Sequence, residues 1–361
     1  MALLQSYAHC CQQPLVTNYS YNLPGPQFLQ GREHSIWRYR EMLPVLNAKN
    51  IVSLGEGWTP IHSLRAVSRR LGCNIMLKDE SMNPTGSFKA RGISVAVSKA
   101  KELDISHCVI PTAGNAGGAL SAYCAKAGIK ATVIMPKYTP LTLQKECSMY
   151  GAELILVDGM IDACGYLAGQ VVQKTDGFDM STLKEPYRLE GKKTLGYEIA
   201  EQLDWKLPDV IIYPTGGGTG LIGIWKAFNE MKLMGWLKGD LPKMVMVQTK
   251  NCAPMVHLFK EGKIAHDLNT EPTSAFGLAV PKPFAKDMML EVLHKSNGTA
   301  LAVTEEEMET CMKEIATSEG LLLSPEGSAT YMGLKKLIEK EWIDQDSSVL
   351  LFNTGSWYKY R

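Results

Sequence analysis

No run of about 18 apolar residues, the length that spans a bilayer, occurs in the 361-residue sequence, so no transmembrane helix is expected. Charge of one sign is missing too: 38 Lys plus Arg face 37 Asp plus Glu, a formal net of +1. A protein held to nucleic acid by phosphate contacts carries a basic surplus, so neither nucleic acid nor membrane is an expected partner. A local pocket for a small anion remains open. There are no paired CxxC knuckles, which argues against a zinc ribbon. The nine cysteines are an odd number, scattered apart from adjacent Cys10 and Cys11, and several lie in apolar strings such as HCVIP and SAYCAKAG. Buried free thiols in a reducing compartment fit that pattern better than a disulfide frame. The opening MALLQSYAHCCQQPL has only a short apolar patch, so no signal peptide and a cytoplasmic location are expected. No internal repeat or low-complexity linker interrupts the chain.

What is present is ordinary globular composition, with 45% hydrophobic and 21% charged residues. The length suggests about two domains. Residues 1–50 are irregular and rich in Pro and Tyr, which reads as an N-terminal arm with a helix near 34–42. From IMLKD (75–79) onward, short apolar runs alternate with helical stretches. VIPT (109–112) precedes a small-residue helix at 115–127. ATVIMP (131–136) precedes a helix at 140–150, and ELILVD (153–158) one at 161–174. DVIIYPT (209–215) leads through a glycine run into a helix at 221–234, and KMVMVQT (243–249) is a further strand. Thr304 with Glu307 predicts a capping box opening a helix over 305–318. Pro325 lies near the start of the next helix, and SVLLFNTG (348–355) holds the last strand. Glycines 128, 151 and 177 stand where helices should end. Alternating strands and helices predict an α/β fold of two domains with parallel or mostly parallel sheets flanked by helices, the smaller sheet over roughly 90–180.

Four strand-to-helix junctions carry the chemistry. Asn83-Pro84-Thr85-Gly86-Ser87-Phe88-Lys89 precedes a helix that Thr85 or Ser87 is expected to cap. Lys89 then lies in the first turn, where the helix dipole disfavours an ammonium. Partial burial beside Phe88 acts the same way. A lysine with a lowered pKa suits a Schiff base with an aldehyde. Spacing alone favours the plainer reading, a surface lysine at a helix start. Thr112-Ala113-Gly114-Asn115-Ala116 offers free backbone N–H groups for a carboxylate or phosphate, with Asn115 able to aim its amide at a ligand. Tight helix–strand packing would also select these small residues. Gly216-Gly217-Gly218-Thr219-Gly220 forms an anion cradle. Gly218, Gly220 and Gly223 also satisfy GxGxxG, but a dinucleotide site wants an acid at the end of the next strand, and that strand ends in Gln248 and Thr249. No Gly-Lys-Ser/Thr follows, so a P-loop is excluded. Thr354, after the last strand, can give or accept one hydrogen bond; alone it marks only a turn.

In this order the four junctions resemble the fold-type II pyridoxal-phosphate enzymes, the group of threonine synthases, threonine and serine dehydratases and the tryptophan synthase β chain. The likeness covers about 50–361. It is nearest to threonine synthases through GEGWTP, KDESMNPTGSFKARG, AGNAGG, EGKKT and SPEG. It implies a tryptophan synthase β-like fold, with 51–89 and 180–361 as the large cofactor-binding domain and 90–179 as a small mobile one. It implies pyridoxal 5'-phosphate as cofactor, a small amino-acid substrate and a homodimer. Lys89 would hold the cofactor and shuttle protons, with Phe88 packed beside its ring. Asn115 would bond the 3-hydroxyl, Gly216, Gly217, Gly218, Thr219 and Gly220 would cradle the phosphate, and Thr354 would face the pyridine nitrogen. Thr112, Ala113, Gly114 and Ala116 would grip the substrate carboxylate. Threonine synthase activity on O-phosphohomoserine would need Arg188 for the substrate phosphate, with Lys184 and Lys192 as further candidates.

Some positions depart from the likeness. The usual SFKDRG has Ala90 in place of the acid. The pattern Asn-Ser-x-Asn-Pro-x-Arg-x-x-Gly-Gln-Lys-Thr near the substrate phosphate reads here as Thr182 to Thr194, with Leu183 at the serine. The glycine loop lacks the asparagine often seen there, and TGSWYKY replaces the more usual TGxGLK. A β-eliminating threonine or serine dehydratase-type enzyme, or a related synthase, needs no phosphate site and is the alternative.

Overall fold

The structure is a computed structural model that describes residues 13–264 and 271–360. Cys10 and Cys11 lie outside the described residues, as does the start of the expected arm. In chain order the elements begin with β1 (Ile61–Ser63), α1 (Arg65–Leu71), β2 (Asn74–Asp79), α2 (Lys89–Glu102), β3 (His107–Pro111) and α3 (Asn115–Ala127). There follow β4 (Lys130–Pro136), α4 (Leu141–Met149), β5 (Glu153–Val157), α5 (Ile161–Thr175), β6 (Phe178–Asp179) and α6 (Tyr187–Gln202). Next come β7 (Val210–Pro214), α7 (Thr219–Leu233), β8 (Lys243–Thr249), α8 (Pro254–Glu261) and α9 (Lys286–Lys295). The chain closes with β9 (Thr299–Val303), α10 (Glu305–Glu319), α11 (Pro325–Glu339) and β10 (Ser348–Asn353).

Two compact units form, one from residues up to 58 with 83–195, the other from 59–82 with 196–360. The first contains a four-stranded sheet in the order β5-β4-β3-β6, parallel throughout. β4 is buried from Ala131 to Pro136, as a strand covered on both faces must be. One core packs α2 and α3 against it through Ile93, Val97, Leu120, Tyr123 and Val133. The other face holds Val109, Ile134, Cys164 and Ala168. The second unit contains a six-stranded sheet in the order β1-β2-β10-β7-β8-β9. Only β1 runs antiparallel, against β2; the other pairs are parallel. The expected α/β class with mostly parallel sheets is what the chain forms.

Local chemistry explains the junctions and corrects three expectations. The capping box is present, with Glu307 N–H donating to Thr304 Oγ1 and the Glu307 carboxylate accepting from Thr304 N–H. Gly128 ends α3 at φ +70°, the left-handed position that favours glycine. At the end of α5, however, that position belongs to Asp176 (φ +50°), not Gly177. The stretch near 34–42 is a 3-10 helix, Ile36–Met42, kinked at Tyr39. Neither Thr85 nor Ser87 caps α2: its N-cap is Phe88 and no side chain makes the capping bond. Thr85 is itself in the left-handed region at φ +59°.

Candidate active site

In the first unit, Lys89 is the first residue of α2, and its Nζ lies 4.0 Å from the centre of the Phe88 ring. The loop before it is tied down by Asn83, whose Oδ1 accepts from Gly57 N–H at 3.0 Å. Ala90, where the related motif has an acid, is fully buried in the apolar core. Gly92 is needed by a neighbour: a Cβ there would stand 2.7 Å from the Arg188 carbonyl. Gly191 is tighter still, with its would-be Cβ 2.1 Å from the Arg91 carbonyl. These two glycines let α2 and α6 touch backbone to backbone, which carries Lys192 up to Lys89. Lys192 Nζ lies 4.7 Å from the same Phe88 ring.

The start of α3 is built differently. Thr112 Oγ1 accepts from Gly114 N–H at 3.1 Å and so folds the backbone into a tight turn before Asn115. No side chain caps this helix, and a Cβ on Gly114 would meet only open space. Uncapped N–H groups beside open space are what a carboxylate requires. Gly117 serves packing instead, since a Cβ there would press on Met135 and Val133.

Glu56, which sequence reasoning passed over inside GEGWTP, organises both helices. Its buried carboxylate accepts from Trp37 Nε1 (2.9 Å), Ser94 Oγ (2.5 Å), Tyr123 Oη (2.6 Å) and Leu54 N–H (2.9 Å). Ser94 is on α2 and Tyr123 on α3, so one carboxylate braces the helices that present Lys89 and Asn115. Burial and the nearby Glu56 charge push the Tyr123 phenol far above its ordinary value.

The stretch set against the substrate-phosphate pattern divides. Lys184 is exposed. Leu183 is buried in the left-handed conformation at φ +60°. Lys193 is committed elsewhere, pairing with Glu190 at 2.7 Å and donating to the Met42 carbonyl at 2.7 Å. Arg188 is buried and donates through Nη1 to the Met180 carbonyl. Burial above all pushes its guanidinium down, with Glu185 and Asp179 opposing. Burial also pushes the Glu185 carboxyl up to about 7, against Arg188 and Lys192. Lys192 is held well below its ordinary value by burial, then by Lys89 and Arg188.

The second unit carries the glycine loop and Thr354. β7 hands over to α7 through Thr215–Gly218, and Gly218 stands at the helix N-cap with φ +83° and no side-chain capping bond. The loop is closed to larger residues. A Cβ on Gly216 would lie 2.2 Å from the Gly277 carbonyl, on Gly218 2.4 Å from Met289 Sδ, and on Gly220 2.0 Å from Tyr213 Oη. The uncapped start of α7 therefore offers backbone N–H groups, with Thr219 as its first residue, which fits the phosphate of a bound cofactor. Gln248, where a dinucleotide site would need an acid, donates to the Thr215 carbonyl and accepts from Met255 and Val256 N–H. That role belongs to the loop's own support. Thr354 is buried just beyond β10. Its neighbour Asn353 donates to Asp79 at 2.9 Å and accepts from Ser324 N–H at 3.0 Å. All seven cysteines among the described residues are free and buried, as expected.

Comparison with known proteins agrees with this chemistry. The family described as "Pyridoxal-phosphate dependent enzyme" matches residues 52–355. Threonine synthase of Methanocaldococcus jannaschii is 35% identical over 330 residues, covering 91% of this chain and 81% of that protein. Threonine synthase of Mycobacterium tuberculosis is 32% identical over 323 residues, covering 89% and 87%. In structure the chain is similar to maize serine racemase, with a TM-score of 0.70, 21% identity and coverage of 82% and 87%. It is also similar to diaminopropionate ammonia lyase from Escherichia coli, with a TM-score of 0.73, 19% identity and coverage of 86% and 87%. At such identity these two structures speak for the fold alone. No described helix is long and apolar enough to cross a membrane. The cofactor is pyridoxal phosphate, the activity is that of a threonine synthase-like lyase, and the chain belongs to the pyridoxal-phosphate-dependent enzyme family.

Proposed function

We propose that this chain converts O-phosphohomoserine and water to threonine and phosphate. One observation carries the reading: the buried Lys192 shares the Phe88 ring with the lysine that opens α2, and a second buried cation, Arg188, lies one turn earlier on α6 within reach of Lys192's field. A substrate with an anionic tail needs such charges next to the reacting amine. The printed name of the relatives, threonine synthase, supports threonine as the product. The bound cofactor supplies the electron sink for carbanion chemistry. Lys89 holds the cofactor's aldehyde carbon and moves the protons at the substrate's α and β carbons. The N–H groups of Ala113, Asn115 and Ala116 would hold the substrate carboxylate, with Thr112 and Gly114 shaping the turn through their own hydrogen bonds, and Asn115 would bond the cofactor's 3-hydroxyl. Phe88 packs beside the ring, Gly216–Gly220 hold its phosphate, and Thr354 gives its nitrogen an uncharged partner. Arg188 holds the leaving phosphate. On this reading 90–179, which holds the four-stranded sheet, is the small mobile domain and 51–89 with 180–361 the large one; the compact unit around that sheet is wider, taking in residues up to 58 and 83–195. The protein works as a cytoplasmic homodimer on this reading.

A second reading, elimination from an unphosphorylated amino acid, is favoured by the buried Leu183 and by the Glu185 carboxylate on the first N–H groups of α6. Turnover separates the two. Purified protein is offered O-phosphohomoserine, phosphoserine, threonine and serine. Threonine with phosphate release is the expected outcome; 2-oxobutyrate or pyruvate without phosphate release selects the second reading. Arg188→Ala should lose about tenfold or more in kcat/KM on the phosphorylated substrate, the worth of a charged hydrogen bond. Lys89→Ala should show no visible absorption band and no cofactor fixed by borohydride; retention of either sinks the assignment of Lys89.

A further inference from the structure

The start of α6 contains a charge arrangement that the reading above uses only in part. Glu185 and Arg188 are 1% and 3% exposed. Glu185 Oε2 accepts from Tyr187 N–H at 2.7 Å and Arg188 N–H at 2.9 Å, so the carboxylate takes an anion's place on the first turn. Its other oxygen, Oε1, has no hydrogen-bond partner. It stands 3.9 Å from Arg188 Nε, which has none either. The pair is thus at Coulombic distance without being hydrogen-bonded, and both facing atoms are buried. Lys192, one turn further along α6, supplies a second buried cation.

We propose that Glu185 is the resident counter-ion of Arg188 and Lys192, and that a phosphate-bearing substrate enters by exchange, its dianion replacing the Glu185 charge as a solvent proton moves onto Oε1. The idea rests on the phosphorylated-substrate reading. A buried site cannot hold a dianion and a carboxylate together at low cost. Protonating Glu185 leaves the two positive charges of Arg188 and Lys192 against one dianion. Glu185 is poised for it, since burial raises its carboxyl to about 7. The other charged or titratable groups facing them are Lys89 from α2, Asp179 from β6 and Tyr187 from α6.

Sulfate is the suitable probe, because it is a dianion with no proton of its own near neutrality. Sodium sulfate is titrated calorimetrically into the full-length holoenzyme at about pH 7.5, in two buffers of different ionisation enthalpy. The expected result is uptake of at least one proton per sulfate bound. Glu185→Gln keeps an oxygen for the two helix N–H groups; it should lose about one proton of that uptake and bind sulfate more tightly. Lys192→Gln should weaken binding about tenfold, the scale of one charged hydrogen bond. Sulfate binding without proton uptake, undiminished uptake in Glu185→Gln, or no binding at all overturns the proposal. O-Phosphohomoserine turnover in the same preparations keeps the two claims apart. Turnover without proton-linked sulfate binding sinks the exchange alone. Proton-linked binding without turnover supports the exchange and sinks the substrate.

Discussion

Lys89 shows how much one position asks of its neighbours. Its ammonium stands at the positive end of α2 and shares the Phe88 ring with the ammonium of Lys192. The ring face offers each cation an attraction that offsets part of the dipole and of their mutual repulsion. Glycines do comparable work in the other unit. Gly220 admits Tyr213 Oη where any side chain would collide. Gly220→Ala is therefore expected to cost about 1–3 kcal/mol of overpacking at the phosphate loop. Cofactor affinity, followed by the visible absorption on dilution, should fall about tenfold or more. Adding Tyr213→Phe, which removes the nearest clashing atom, should return part of it; no change in the single variant would mean the loop gives way freely.

Elements built on a strong pattern were legible in the sequence, and the reason is physical. β4 and β7 are covered on both faces, so they read as unbroken apolar runs, and α3 follows β3 with only small residues between. Weakly patterned elements escaped. β1 is a three-residue polar edge, β6 has two residues, and α6 mixes glycines with buried charges that carry no amphipathic period. The candidate residues Lys89, Asn115 and Thr219 were found because each opens a helix. Glu56 and Gln248 were not, since their work depends on partners far along the chain. Glu56 bridges residues 19, 38 and 67 positions away, which no local motif encodes. Glu56→Ala strands three buried side-chain donors at about 1–3 kcal/mol each. A large fall in Tm is expected, with Glu56→Gln intermediate because it keeps an acceptor. A Tm within about 1 degree of the parent, which for a chain this long means less than about 1 kcal/mol, would show that solvent replaces the bracing.

On the scale of the whole molecule, stability should depend on pH through His107. Its ring lies between Thr175 Oγ1 (3.0 Å) and Thr132 Oγ1 (2.8 Å). Burial first, and Lys130 second, push its pKa below the ordinary value. The unfolded chain then binds the proton more readily than the folded one, so the stabilisation is present above about pH 6.5 and is lost as pH falls below it. Tm measured from about pH 7.5 to 5.5 should decline, and less steeply in His107→Gln. An equal decline in both would assign the effect to other groups.

The buried thiols give the fold a chemical clock. With Cys10 and Cys11 replaced by serine, the remaining seven cysteines all lie inside the protein. An alkylating reagent then reaches them only through opening of the structure, and its rate reports the free energy of that opening. Because Cys108, Cys124, Cys147 and Cys164 sit in one unit and Cys73, Cys252 and Cys311 in the other, the order in which peptides gain mass would reveal which unit loosens first.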